Sequence, residues 1–293
     1  MTLDHAINDV AEITLVQMML TIGLGASIKD VLDVTRNGSL LLRAGIANYV
    51  LVPAAAVGLL LLFHSPPMVA VGFLIAAVCP GAPFGPPFTS VAKGNVATAV
   101  GLMVVLAGSS ALLAPVLLPI LIPLASRAQA APINVAKMIV VLLCAQLLPL
   151  CIGIAVRQFR PAFAIRLAQP MRPLSALLNL TTFGMIIASQ FRMLVEIRPI
   201  AYAGMLALVF AGIAGGWMLG GPGRPDRIAV AISTAVRNVG VAMVIATGSF
   251  AGTAAVTAAT AFGVFQTLVM ALIALTFGRV VRPATPMTAR VHV

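Results

Sequence analysis

Within a long apolar stretch the chain reads Cys79-Pro80-Gly81-Ala82-Pro83-Phe84-Gly85-Pro86-Pro87-Phe88. No other feature of the sequence restricts the fold as much. Each proline lacks a backbone donor and presses on the carbonyl one turn earlier, while Gly81 and Gly85 permit sharp changes of direction. Pro80, Pro83, Pro86 and Pro87 in so short a run break a helix rather than bend it. Where the flanks are this apolar, freed backbone groups persist only if protein covers them or a watery cavity meets them. Interrupted spans of this kind mark transport sites.

The flanks belong to a chain of 293 residues that is 61% hydrophobic and 9% charged, where soluble domains average about 45–50% and about 25%. Such a chain is an all-α polytopic membrane protein with the bilayer as its first partner. Nine apolar spans are predicted, at residues 10–26, 39–63, 68–90, 96–124, 135–156, 174–190, 199–219, 228–247 and 254–277. Each is close to the ~20 residues that cross a bilayer core. No polar stretch is long enough for a separate soluble domain, so 1–293 reads as one transmembrane unit. The first twelve residues carry Asp4, Asp9 and Glu12 but no basic residue, unlike a cleaved leader.

With the N-terminus outside, thirteen of the eighteen basic residues fall on the inner side, among them Arg282 and Arg290. The outer side holds Arg127, Lys137, Arg192 and Arg198. This imbalance predicts an N-terminus outside and a C-terminus in the cytoplasm, in a plasma (inner) membrane. The net charge of +11 is therefore explained by loops; it is not gathered on an aromatic-lined face, and nucleic acid is not expected as a partner. Cys79, Cys144 and Cys151 all lie in apolar runs, which predicts reduced, buried thiols.

The eighteenth basic residue is Arg237, inside the eighth span, within Ser233-Thr234-Ala235-Val236-Arg237-Asn238-Val239-Gly240. Ten residues separate it from Arg227 at the inner boundary, roughly 15 Å at ~1.5 Å each, near the bilayer midplane. Counting back from Lys93 places Gly85 about 12 Å deep by the same rise. The two interruptions are thus expected to meet. They also sit in equivalent places: residues 10–124 and 174–277 form two four-span repeats, each broken in its third span. The odd span at 135–156 inverts the second copy. Inverted repeats with facing broken helices are a recurring transporter plan.

These residues resemble the bile acid:sodium symporter family, also called the sodium/bile acid cotransporter family. The similarity covers nearly the whole chain and rests on Cys79-Pro80-Gly81 with the break that follows, Ala92-Lys93-Gly94-Asn95-Val96-Ala97, and Leu113-Ala114-Pro115. It continues in Asn48 to Pro53, similar to a Gln-aromatic-apolar-apolar-apolar-Pro stretch, and in Arg237-Asn238-Val239-Gly240-Val241-Ala242, similar to Gln-Asn-small-Gly-apolar-Ala. Members with an additional N-terminal span have ten, and this chain matches from the second. The resemblance implies a panel and a core, with crossed unwound helices in the core that bind sodium and an organic anion.

The departures are as specific. By family position, Gly85 and Pro86 stand where a Ser/Asn-type pair of sodium ligands sits, and Ala99 and Met103 replace hydroxyl ligands. Ser233 takes the place of an acidic ligand and Arg237 that of a glutamine, while Asn48 and Asn238 keep side-chain oxygens. Sodium is a hard cation that wants oxygen ligands and negative charge. None of the seven acidic residues lies in either interrupted span. Sodium therefore remains the one candidate cofactor ion, with Asn48 and Ser233 as candidate ligands, and its coupling is expected to be weakened. The Arg237 guanidinium is expected to replace the missing cation and attract a carboxylate or sulfonate; a purely structural role, capping carbonyls of the unwound helix, is the competing expectation.

The substrate-binding candidates are thus Arg237, Asn238, Ser233, Thr234, Gly85, Pro86 and Thr89, with Pro80, Gly81, Pro83, Gly85, Pro86 and Pro87 as the helix break. Gln146, Gln190 and Gln266 are read as glue between helices, and Gly212-x-x-x-Gly216-x-x-x-Gly220 as close packing. The chain lacks His-Glu-x-x-His, a Gly-x-Ser-x-Gly elbow and a phosphate-cradling loop, so an enzyme is not expected. The expected function is a secondary transporter of a small or amphipathic organic anion by alternating access. A sodium-independent facilitator or exchanger, and a ligand sensor built like a transporter, stand as alternatives. No obligate protein partner is expected.

Overall fold

The structure, a computed structural model, describes residues 3–126 and 133–280. Arg127, Arg282 and Arg290 lie outside the described residues. Among those described, every regular element is helical, in the order α1 (Leu3–Gly25), α2 (Ile28–Arg36), α3 (Gly38–Ile46), α4 (Val52–Leu62), α5 (Pro67–Ala77), α6 (Gly85–Val91) and α7 (Val96–Ala125). Then follow α8 (Val135–Leu142), α9 (Leu148–Phe159), α10 (Pro161–Val195), α11 (Pro199–Leu219), α12 (Arg224–Ala235), α13 (Val239–Phe250) and α14 (Ala254–Val280). Eight continuous or joined helices among the described residues are long and apolar enough to cross a bilayer, and the short apolar α5 marks the interrupted third span. The chain is an integral membrane protein.

Two spans contain a widened π turn, Ala47–Leu51 between α3 and α4 and Leu143–Leu147 between α8 and α9. Both have the same local cause. A proline, Pro53 or Pro149, follows two residues after the turn, and its ring would clash with the carbonyl of Tyr49 or Ala145 in a regular helix. Widening the turn relieves that clash. Each turn also presents a fully buried polar side chain, Asn48 or Gln146.

The helices pack in two groups. α1 lies against α9 and α10, and its contact with α9 is close enough that a Cβ on Gly153 would meet the Gly23 Cα at 2.8 Å. In the second group α11 packs on α12 and α4, α14 on α5, and α12 on α7. The groups meet where α1 faces α13, α10 faces α14, and α7 faces α8. Hydrogen bonds tie this boundary: Thr247 donates to Asn8 Oδ1 at 2.9 Å, Gln146 Nε2 donates to Ser110 Oγ at 2.9 Å and to the Ala107 carbonyl, and Thr257 donates to Gln190. All three glutamines read as glue serve that purpose, Gln266 as described below.

Two expectations need correction. Cys79 is buried, but Cys144 and Cys151 are free thiols exposed on the outside of their helices, because an apolar run has no preference between a helix neighbour and lipid. The span expected at 174–190 is part of a far longer helical segment, α10, which begins at Pro161, runs through Pro170 and Pro173 and kinks at Gln190 (φ -119°, ψ 22°). Its early turns are held by Ala164 and Ala168 packed on Leu24, a tertiary contact that overrides the proline signal.

Candidate functional site

The first interruption leaves the chain non-helical between Ala77 and Gly85. Gly81 sits at φ +83, and a Cβ there would meet the Ala107 backbone, so this turn admits only glycine. Pro80 and Pro83 fall within the break. Gly85, Pro86 and Pro87 instead open α6, where a proline in the first turn forgoes only a donor that has no helical partner.

The second interruption is shorter, Val236 to Asn238, between α12 and α13. It supplies what the first one lacks. The Asn238 backbone N–H donates to the Cys79 carbonyl at 2.7 Å, and its Nδ2 donates to the Gly81 carbonyl at 3.1 Å. Arg237 Nη1 donates to the Ala77 carbonyl at 3.3 Å, and Nη2 donates to the Thr234 carbonyl. The Asn238 Oδ1 meanwhile accepts from the Val241 N–H at 3.3 Å and caps α13. Carbonyls left open by the first break are thus satisfied by two consecutive residues of the opposing break, and the two interruptions meet as expected.

Gln266 of α14 completes the crossing. Its Oε1 accepts from the Arg237 N–H at 3.0 Å and its Nε2 donates to the Arg237 carbonyl at 2.8 Å. A residue with no helical partners is thereby paired on both sides, as burial demands. Sequence reasoning recognised Gln266 as a buried polar residue but not this clamp. Its partner is 29 residues away, and only the tertiary fold brings them together.

Arg237 is 1% exposed. The guanidinium borders a cavity of about 180 Å3 shared with Met18, Pro83, Phe84, Asn179, Phe183 and Gly240, among others. This cavity lies between the two helix groups, since α1 and α10 form one wall and both breaks with α14 form the other. Met18, Phe84, Asn179 and Phe183 had no sequence signal beyond their residue type.

The remaining candidates divide by what their side chains do. Thr89 is buried and spends its hydroxyl on the Gly85 carbonyl at 2.9 Å. Thr234 accepts from Asn48 Nδ2 at 3.2 Å, and that same nitrogen donates to the Ala44 carbonyl at 2.9 Å. This fixes the amide orientation and leaves Asn48 Oδ1 buried without a partner. Ser233 Oγ is likewise buried without a partner; it faces Gly85, 3.9 Å from where a Cβ would stand. Gly85 and Pro86 contribute shape and backbone only.

The sequence pattern of the Sodium Bile acid symporter family matches residues 12–197. A protein of Bacillus subtilis described as an uncharacterized sodium-dependent transporter, YocS, is 27% identical over 278 residues, covering 90% of this chain and 82% of its own length. The family match takes in the first interruption and the boundary helices α1, α9 and α10, and the alignment with the relative takes in most of the chain. The protein is a membrane transporter that belongs to the sodium bile acid symporter family.

Proposed function

We propose that the protein carries a small or amphipathic organic anion across the membrane by alternating access, binding it where the two broken helices cross. The carrying observation is Arg237, a buried guanidinium beside a largely apolar cavity between two helix groups. A cation at mid-membrane costs ~2.5–3.5 kcal/mol on insertion scales, and such residues are retained where they serve function. Its planar fork suits a carboxylate or sulfonate. The apolar walls suit an organic rather than an inorganic anion. Movement of one helix group against the other needs a boundary of separable contacts, and the hydrogen bonds of Asn8, Gln146 and Gln190 provide one. The charge distribution favours an N-terminus outside a plasma membrane.

In this reading Arg237 supplies the positive charge that a coupling ion would otherwise bring, and the anion crosses without sodium. A sodium-coupled reading has its own support. Asn48 Oδ1 and Ser233 Oγ are buried oxygens with no partner, the donor type a hard cation takes, and the Bacillus subtilis relative is described as sodium-dependent. Uptake and counterflow of candidate organic acids in proteoliposomes separate the readings. Exchange that persists when choline replaces sodium is the expected result. Accumulation that collapses with the sodium gradient would establish symport, and binding without any exchange would leave a sensor.

Ser233→Ala sharpens the distinction, because it removes only a hydroxyl that has no partner. Without a sodium role, thermal stability should be unchanged or raised slightly, within about 1 kcal/mol, since a buried unsatisfied group is lost. If Ser233 ligates sodium, the sodium-induced rise in melting temperature should fall in the variant.

A further inference from the structure

Helix α10 is longer than the membrane it crosses. A kink at Gln190 (φ -119°, ψ 22°) divides it, and residues 161–189 before the kink rise roughly 44 Å at ~1.5 Å each, against ~30 Å of hydrocarbon. The lipid-facing side shows where the surplus lies. From Leu174 to Phe191 the most exposed large side chains are apolar: Leu177, Leu180 and Phe191 are each at least 60% exposed, and the exposed Arg192 follows. That stretch, residues 174–191, rises roughly 27 Å and nearly fills the hydrocarbon by itself. The turns before Leu174 therefore stand at headgroup level.

Those turns have a distinct chemistry. Ala164 and Ala168 face inward onto Leu24. Outward, Arg166 stands one turn from Phe163, and Arg172 lies two turns from Ile165 on the same face. Just before them come Arg160 and Phe159, the latter 80% exposed. No Asp or Glu occurs between Asp33 and Glu196, and among the described residues none of Arg160, Arg166 and Arg172 enters an ion pair. The other end of α10 carries Arg192 and Arg198 around Glu196 instead. Uncompensated guanidinium groups at six-residue steps, interleaved with exposed aromatic rings at the membrane boundary, complement lipid phosphate above and acyl chains below.

We infer that the end of α9 and the first turns of α10 form a binding surface for anionic phospholipid headgroups. Arg160, Arg166 and Arg172 receive the phosphate while Phe159, Phe163 and Ile165 enter the upper acyl region. The test uses the full chain in detergent and native mass spectrometry with phosphatidylglycerol or phosphatidylcholine added. Phosphatidylglycerol adducts should exceed phosphatidylcholine adducts at least tenfold. The excess should shrink from 0.1 to 1 M salt, where the screening length falls from ~10 Å to ~3 Å. The variant R160Q/R166Q/R172Q should lose the excess while R192Q/R198Q keeps it. Equal retention of the two lipids, adducts indifferent to salt, or an undiminished excess in the triple variant would each overturn the inference. So would protection from thermal unfolding by soluble glycerol phosphate equal to that by the lipid, because the site would then bind a free anion rather than a membrane surface.

Discussion

Arg237→Gln lowers anion affinity by about thirtyfold to a few thousandfold. The guanidinium is desolvated, and truncating one partner of a buried charge pair costs about 2–5 kcal/mol, where every ~1.4 kcal/mol is a factor of ten. Glutamine is an apt replacement because it keeps a polar amide without the charge, and the backbone clamp of Gln266 on residue 237 does not depend on the side chain. The substitution also releases the Ala77 and Thr234 carbonyls, which the guanidinium now holds. Those freed oxygens are available to a hard cation, so the variant should gain a sodium-dependent rise in melting temperature that the unsubstituted protein shows weakly or not at all. Arg237→Lys divides the two roles of the side chain. Lysine keeps the charge as a compact point without the planar fork, so binding should weaken rather than vanish. Calorimetric titration of Arg237→Gln decides between contact and cap: full affinity combined with lower thermal stability means that the guanidinium only secures carbonyls at the crossing.

The elements that carry this prediction were legible in the sequence to different degrees. Pro80 and Pro83 announce their break because a ring that removes a donor acts locally, whatever the surroundings. That the two breaks meet followed from counting residues at a fixed rise. The clamp by Gln266 did not follow, since a glutamine in an apolar run satisfies any buried backbone within reach and only the fold selects which one. The exposure of Cys144 and Cys151 was illegible for a different reason. In a bilayer both neighbours of a helix are apolar, so the pattern that separates core from surface in water is absent. The early turns of α10 were hidden by Pro170 and Pro173, whose local preference yields to the packing of Ala164 and Ala168 on Leu24. The cavity walls at Asn179 and Phe183 depend on how two helix groups lean together, which no local spacing encodes. By contrast the Gly212, Gly216 and Gly220 series was legible, because its four-residue period is itself the contact.

That series sets where Arg237 stands, and its disruption has the largest expected structural effect. A Cβ on Gly212 would lie 2.8 Å from the Ala235 Cα, one on Gly216 2.6 Å from the Ala231 Cα, and one on Gly220 2.6 Å from the Arg227 Cα. The opposing atoms are backbone, so no side chain can swing aside. Both helices advance by four residues per contact, in opposite directions, so α11 and α12 touch along one continuous seam. Residue 235 is the last of α12, so displacing this helix displaces the Thr234 carbonyl and the guanidinium that caps it. Gly216→Val should therefore cost about 1–3 kcal/mol or more through overpacking, and transport should fall with it even though residue 216 touches no substrate. Gly184→Ala in α10 is the matched control. A Cβ there meets nothing within 4 Å, and replacing an open helical glycine should be neutral or stabilise by up to ~1 kcal/mol. Melting temperatures in detergent, measured alongside proteoliposome uptake, read both variants. If Gly216→Val melts with the unsubstituted protein while still carrying substrate, α12 does not need the seam for its position. The crossing must then be held by the Asn238 and Arg237 hydrogen bonds alone.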